Sequence, residues 1–244
     1  MPTSTPFITL PQPRYLYVAG IIYVLIITIA AAVFNYLTWE PGAVSGDMLW
    51  IGVIFWILLY LPVFIFWRWG SWELDDFGFT WNQKTLAVGI YSLPIGLACA
   101  QMITTVSFEK WYTPVIEGFA RAGEEIFYRG FIYMLTYRLF ENRKRPWLWA
   151  VFLSSLLFMV VHTQVFLLGN QGDLTGKFFL ALVFALVRAW SGSVLFGVSI
   201  HAASSGGILG MLTSWAIYAA FTAWALKHRR GLKQGSGQSL SGMP

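Results

Sequence analysis

Long apolar runs alternate with short polar loops along most of the chain. The runs 16–37, 48–67 and 86–106 are each long enough to cross a bilayer, which takes about 20 helical residues. A fourth run, 118–140, contains charged residues, and a fifth covers 147–168. Three shorter segments follow, with two glycines between the last two: 178–190, 194–205 and 208–226. We predict an all-α, polytopic transmembrane helical bundle of about eight membrane segments, some of them short or broken.

The two ends of the chain are polar and rich in residues that disfavour regular structure. Pro and Thr are frequent in residues 1–14, and Gly, Ser and Gln are frequent in residues 231–244. We predict a flexible tail at each end and a single transmembrane helical domain over residues 15–230.

Composition agrees with a membrane protein and narrows the possible chemistry. Of the 244 residues, 57% are hydrophobic and 11% are charged, against about 25% charged in an average soluble domain. The net charge of +5 then reflects loop cations that set orientation, so no nucleic-acid partner is expected. The single cysteine, Cys99, excludes an internal disulfide and a thiolate metal cluster.

Loop charges predict the orientation of the bundle. If the segments all cross, the basic loops fall on one side and the loops with Glu40, Glu109 and Asp173 on the other. Because Lys and Arg favour the cytoplasmic side, both termini are expected there, and the expected location is a bacterial inner membrane. The basic residues are Arg14, Arg68 with Lys84, Arg143 to Arg145, Arg188, and Lys227 to Arg230.

Two carboxylates and an arginine, Glu124, Glu125 and Arg129, lie inside the fourth apolar run. An ionisable group in hydrocarbon costs about 3 kcal/mol, so it persists mainly where it pairs, lines a cavity or carries out chemistry. Arg121, Glu125 and Arg129 are four residues apart, so Glu125 is expected to be braced between two guanidinium groups. Glu124 has no cation four residues away and is the candidate general base. A structural charge network is equally compatible with this segment alone.

Two of the three histidines lie in apolar runs at a depth similar to that of Glu124. Counted from one membrane face, Glu124 and His162 lie about 9 Å deep and His201 about 6 Å deep. We predict that the three side chains share a water-accessible pocket suited to hydrolysis. Glu124 would take a proton from water and His162 would hold that water. His201 would donate to the oxyanion, and Ser205, one helical turn further on, could supply a second donor.

The same side chains leave a metal-dependent alternative open. Two histidines and a glutamate, namely His162, His201 and Glu124, could bind zinc. No HExxH motif is present. We expect no cofactor, because the predicted stack of Arg121, Glu125 and Arg129 leaves Glu124 available as a base.

Three motifs, in this order along residues 117–205, resemble those of the CPBP family of intramembrane proteases. The family includes the CAAX prenyl endopeptidases of the Ras-converting type and the bacterial Abi proteins. The motifs are Glu124-Glu125-x-x-x-Arg129, Phe158-x-x-x-His162 and His201-x-x-x-Ser205.

The resemblance implies a glutamate-dependent intramembrane endopeptidase. It implies that Glu124 and His162 activate water and that the third motif forms the oxyanion hole, with Glu125 and Arg129 as supporting residues. Ser205 departs from the Ras-converting members, which have Asn at this position, and a hydroxyl reaches less far than an amide. Oxyanion stabilisation is therefore the step that matches the family least.

The expected substrate is a membrane-anchored or lipidated protein, or a peptide precursor, that is cleaved near its end. The loop charges place the pocket nearer the non-cytoplasmic face, whereas processing of prenylated proteins is a cytosolic task. The alternative function is a non-catalytic CPBP-like scaffold, assembly factor or structural subunit of a larger membrane protein complex. A proton or ion pathway is less favoured, because acidic groups do not recur at other depths.

Overall fold

A computed structural model describes residues 14–38, 46–70, 72–101, 112–162 and 171–237. Every regular element in these ranges is helical, so the predicted all-α class is confirmed. The elements, in chain order, are α1 (Arg14–Thr38), α2 (Gly46–Trp69), a 3-10 turn (Leu74–Phe77), α3 (Gln83–Gln101), α4 (Tyr112–Glu125), a π-helical segment (Ile126–Ile132), α5 (Tyr133–Leu139), α6 (Pro146–Val160), α7 (Gln171–Ser191) and α8 (Leu195–Gly237).

Several of these helices have the length and apolarity of membrane spans. Three qualify on both counts within the described residues: Arg14–Phe34, Leu174–Ser191 and Leu195–His228. Two shorter apolar stretches, Val53–Trp69 and Pro146–Val160, accompany them. The chain is therefore an integral membrane protein. The third and fourth predicted runs also form helices, α3 and α4 to α5. Residues 102–106 and 163–168 of the predicted runs lie outside the described residues.

Helix α8 is broken where the sequence predicted a break. Gly207 has φ 60° and ψ −151°, a conformation open to glycine, which has no Cβ. The segment that carries His201 is thereby separated from the longer apolar segment that follows. Beyond it, α8 extends to Gly237, past Arg230, where the sequence analysis placed the start of the C-terminal tail.

Ring contacts bring the first and last helices to the same end of the bundle. Tyr17 lies edge-on to Trp72, with 6.4 Å between the ring centres. Trp67 at the end of α2 contacts His228 on α8, at 5.0 Å between the ring centres. The start of α1 and the end of the apolar part of α8 therefore lie on one side.

Polar contacts add the remaining basic loops to that side. Lys84 at the start of α3 donates to the carbonyl of Trp190 at 3.0 Å. Arg138 at the end of α5 lies 3.9 Å from the carboxylate of Asp76. We call this side the basic end; its cations include Arg68, Lys84, Arg138, Arg188 and Lys227. The prediction that these loops share one side is consistent with these contacts, and which membrane face they occupy stays a prediction.

The loop of residues 72–80 folds into the bundle at the basic end. Its apolar side chains are buried, Phe77 and Phe79 completely. Arg188 on α7 donates from its guanidinium to the carbonyl of Asp76 at 2.7 Å and from Nε to the carbonyl of Arg129 at 3.2 Å. Arg188 thus links the loop to the π-helical segment through two hydrogen bonds. Burial raises the pKa of the Asp76 carboxyl above its ordinary value.

Candidate active site

Glu124 lies on the last turn of α4 and has a cationic partner on its own helix. Its Oε1 accepts a hydrogen bond from Nη1 of Arg121 at 2.7 Å. Arg121 also forms an ion pair of 3.2 Å with Glu117. Two predictions are therefore wrong: that Glu124 lacks a counter-ion, and that Arg121 braces Glu125. The predictions weighed only spacings of four residues, whereas side chains three residues apart on a helix also meet.

Glu125 points into the protein and is completely buried. Its Oε1 lies 3.2 Å from Nη1 of Arg129 and 2.9 Å from Nδ1 of His201. Arg129, which is 1% exposed, is therefore the one predicted brace of Glu125 that the structure retains. A Cβ at Gly197 would overlap Oε2 of Glu125, so α8 passes this carboxylate closely only because it carries a glycine there.

His201 contacts both glutamates. While Nδ1 faces Glu125, Nε2 lies 3.7 Å from Oε2 of Glu124. An ionised Glu125 only accepts hydrogen bonds, so Nδ1 carries a proton. His201 can then donate from Nε2 only as the imidazolium, because a neutral ring has a single N–H.

His162 follows the end of α6, and its ring is fixed by its own helix. Nδ1 lies 2.8 Å from the carbonyl oxygen of Phe158. A carbonyl only accepts, so Nδ1 carries the proton, and in the neutral ring Nε2 keeps a lone pair that can accept from water. The carboxylate of Glu124 lies near enough to the ring of His162 for their charges to interact. The predicted grouping of these two side chains with His201 is therefore present in the structure.

Phe158 lies between the side chains of the three motifs. Its ring centre is 4.6 Å from that of His162 and 5.8 Å from that of His201. The guanidinium carbon of Arg129 lies 4.2 Å from the same ring centre. The ring thus packs against a residue from each motif. A cation over an aromatic face is attracted by the ring's charge distribution.

Ser205 is the predicted site residue with the weakest link to the cluster. It lies on α8 four residues after His201, so both side chains are on one helix face. Within the described part of the chain, no hydrogen bond joins Ser205 to Glu124, His162 or His201.

Among the charged side chains of α4 and the π-helical segment, exposure is highest near the start of α4. It is 30% at Glu117, 28% at Arg121 and 17% at Glu124, and then 0% at Glu125 and 1% at Arg129. The cluster therefore opens towards the start of α4. We call the side chains of Glu117 and Arg121 the mouth of the site. Because α4 to α5 runs towards the basic end, the mouth faces the opposite end.

Comparison with known families agrees with these motifs. The family model for type II CAAX prenyl endopeptidases described as Rce1-like matches residues 107–207, which include all three motifs. The match supports membership of the CPBP family. The family consists generally of proteases, so peptide hydrolysis is its activity at the family level. None of the curated proteins compared with this chain matches it.

The candidate site includes a π-helical segment, Ile126–Ile132, that the sequence analysis did not predict. All seven of its residues are buried, so no polar face reveals the helical period in the sequence. Such segments inside α-helices recur at functional sites. This one separates Glu124 and Glu125 from the rest of the helix and contains Arg129.

Two buried acceptors of the candidate site have no hydrogen-bond partner in the described part of the chain. Oε2 of Glu124 and Oε2 of Glu125 find no hydrogen-bond donor among the described residues. Buried oxygens of this kind are usually satisfied by water or by a ligand. Oε1 of Glu124 is held by Arg121, so Oε2 is the oxygen left to accept a proton.

The structure offers no metal-binding arrangement in the ranges that it describes. No three His, Cys, Asp or Glu side chains there are grouped as ligands. The expectation of a cofactor-free site and the zinc alternative at Glu124, His162 and His201 both stay predictions.

Proposed function

We propose that this chain is a glutamate-dependent intramembrane endopeptidase that hydrolyses a peptide bond of a membrane-anchored or lipidated protein or peptide precursor. The observation that carries the proposal is that Oε2 of Glu124 has no hydrogen-bond partner among the described residues and lies 3.7 Å from Nε2 of His201, with His162 close by. An acid and two imidazoles grouped together are side chains that can carry out the proton transfers of amide hydrolysis. Membership of a protease family supports the same conclusion.

The reaction begins with a water molecule held between Glu124 and His162. Oε2 of Glu124 accepts the water proton while the water oxygen forms a bond to the substrate carbonyl carbon. Nε2 of His162 accepts a second hydrogen bond from the same water and so fixes its direction. When the carbon–nitrogen bond breaks, the proton on Glu124 passes to the leaving amine.

The oxyanion of the tetrahedral intermediate requires a donor on the opposite side. Nε2 of His201 supplies it when the ring is an imidazolium, since Nδ1 is already engaged with Glu125. Glu125 and Arg129 act through this contact, because they fix the orientation of the ring. The hydroxyl of Ser205 is the proposed second donor.

The end of the bundle at which the mouth lies indicates the membrane face on which the substrate would be presented. The mouth faces away from the basic end, and loops rich in Lys and Arg favour the cytoplasm. We therefore place both termini in the cytoplasm and the mouth nearer the non-cytoplasmic face of a bacterial inner membrane. A membrane-anchored substrate presented on that face fits this arrangement better than a cytosolic prenylated protein.

The test compares membrane proteomes of a deletion strain that carries wild type, Glu124→Gln or Glu141→Gln. Gln keeps the volume of Glu but cannot take a proton, so loss of general-base catalysis should lower the turnover rate by about 10²- to 10⁴-fold. An unprocessed precursor should accumulate in the deletion strain and with Glu124→Gln. Glu141 is exposed at the basic end, so its variant should process normally. Full processing by Glu124→Gln would contradict catalysis and favour the scaffold alternative.

A further inference from the structure

A groove of about 510 Å³ lies between α3 and the part of α8 that follows Gly207. Its walls are mostly apolar and include Gly89 and Leu93 of α3 and Ala219 and Ala223 of α8. We call it the α3–α8 groove. None of the motif residues of the candidate active site lines it, so the groove is a separate feature of the molecule.

The α3–α8 groove opens sideways, towards the surroundings of the bundle. Leu86, Ile90 and Leu93 on its α3 side are exposed, as are Ala219 and Ala223 on its α8 side. In a chain that crosses a membrane, exposed apolar side chains of this kind face the lipid. A molecule dissolved in the bilayer can therefore enter the groove without passing through water.

The length of the groove matches the depth of one leaflet. On α3 its lining runs from Thr85 to Leu93, about 12 Å of helix, and on α8 from Leu226 back to Trp215, about 16 Å. The hydrocarbon of one leaflet is about 15 Å deep, half of the hydrocarbon core. A single acyl chain that runs parallel to the two helices therefore fits the groove.

Polar groups occur only near the end of the groove that lies at the basic end. Lys84 directly precedes the lining residue Thr85, and Lys227 directly follows the lining residue Leu226. Just inside them, the hydroxyl groups of Thr85 and Thr222 interact with that of Tyr218. The lining beyond these hydroxyl groups is apolar. A phospholipid has the same order of groups: a phosphate, then polar esters, then acyl chains.

The cations beside the groove favour a negatively charged head group. Nζ of Lys84 donates to the carbonyl of Trp190 at 3.0 Å and lies 5.4 Å from the centre of the Trp190 ring. An ammonium group has three N–H donors, so this contact leaves two for an anionic oxygen. Lys227 is exposed, and the lining side chains in the described part of the chain include no carboxylate.

We propose that the α3–α8 groove binds an anionic phospholipid. One acyl chain lies along the groove between the two helices, and Lys84 and Lys227 bind the phosphate of the head group. Basic residues beside a groove between membrane helices are a recurrent way of binding such head groups. The site does not depend on the proposed peptidase function, because it shares no residue with the candidate active site.

The first test measures lipid preference by native mass spectrometry of the full-length protein in detergent. The probes are phosphatidylglycerol and phosphatidylcholine with identical acyl chains. The first phosphatidylglycerol should bind at least about fivefold more tightly than phosphatidylcholine. Lys84→Gln combined with Lys227→Gln should remove the preference. Arg143→Gln combined with Lys144→Gln, which changes two exposed cations in the loop after α5, should keep it. Equal binding of the two lipids by the wild type overturns the proposal.

The second test fills the groove from α8. Ala219 and Ala220 are neighbours and both are exposed, but only Ala219 lines the groove. Ala219→Phe places a ring where the acyl chain would lie, so the first phosphatidylglycerol should bind at least about tenfold more weakly. Ala220→Phe adds the same ring outside the groove and should leave the affinity unchanged. Equal effects of the two substitutions contradict the proposed position of the chain.

Photochemical labelling of the wild type locates the lipid whether or not these variants fold. Phosphatidylglycerol with a diazirine on one acyl chain is added to the protein in nanodiscs, illuminated, and the labelled peptides are sequenced. The label should lie within residues 85–93 or 215–226 and should be reduced by an excess of unlabelled phosphatidylglycerol. Labelling only elsewhere overturns the proposal. So does cross-linking of two protein chains through these residues, which would assign the groove to a second copy.

Discussion

Two adjacent carboxylates have different surroundings because successive helical residues point about 100° apart. Glu124 faces the mouth and is 17% exposed, whereas Glu125 faces α8 and is completely buried. The sequence predicted this division, because Arg129 stands four residues after Glu125. It predicted the wrong partner for Arg121, because an arginine on a helix can also reach a carboxylate three residues away.

The close approach of α8 to Glu125 makes Gly197 sensitive to substitution. Gly197→Ala places a methyl group against Oε2 of Glu125, so the free energy of unfolding should fall by about 1–3 kcal/mol. Peptidase activity should fall with it, because His201 is oriented through the displaced carboxylate. Thermal unfolding in nanodiscs and precursor processing measure the two effects.

The control for this variant is Gly176→Ala on α7. A Cβ there meets nothing within 4 Å, so the substitution should stabilise the helix by about 0.5–1 kcal/mol and leave processing unchanged. Equal effects of the two substitutions would show that contact with Glu125 does not restrict position 197.

The site depends on elements that hydrophobic periodicity does not reveal. The runs of apolar residues predicted the helices, and the Gly206-Gly207 pair predicted the break in α8. Neither signal shows that the loop of residues 72–80 enters the bundle or that the segment Ile126–Ile132 is π-helical. Both features depend on contacts between residues far apart in the chain, chiefly those of Arg188.

Arg188 should therefore contribute more to stability than a lysine at the same end. Arg188→Met leaves the carbonyls of Asp76 and Arg129 without this donor, and each unsatisfied buried carbonyl costs about 1–3 kcal/mol. At about 2–4 °C per kcal/mol for a chain of this size, Tm should fall by at least about 4 °C. Intrinsic tryptophan fluorescence during heating provides the measurement.

Lys84→Met serves as the control, because Lys84 is only partly buried and donates to one exposed carbonyl, that of Trp190. Its effect on the free energy of unfolding should stay within about 0.5 kcal/mol. A shift in Tm as large as that of Arg188→Met would mean that Arg188 does not join the loop to the π-helical segment.

In the whole bundle, the candidate site and the basic loops lie at different depths. Fourteen residues separate Glu124 from Arg138 at the basic end, about 20 Å of helix. The order of the motifs and the loop charges predicted this arrangement from the sequence. The membrane face at each end cannot be derived from the contacts within the protein, because those contacts are identical in either orientation.

Cysteine labelling determines the orientation. In a Cys99→Ser background, single cysteines are introduced by Thr3→Cys, Ser239→Cys or Thr113→Cys. A membrane-impermeant maleimide should label intact cells only at position 113, next to the mouth, and should label positions 3 and 239 after the inner membrane is opened. The reverse pattern would place the mouth on the cytoplasmic face and make cytosolic prenylated proteins the better substrate class.

The break at Gly207 affects how the site responds to the lipids around it. Gly118 and Gly210 bring α4 and α8 into backbone contact just beyond the break, and this crossing can serve as a pivot. A bilayer of different thickness changes the tilt of spanning helices at modest cost. Because Gly207 departs from helical φ and ψ, the apolar half of α8 need not share the axis of the half that carries His201. We therefore expect a change in bilayer thickness to alter the tilt of the segment after Gly207 more than the contacts of His201.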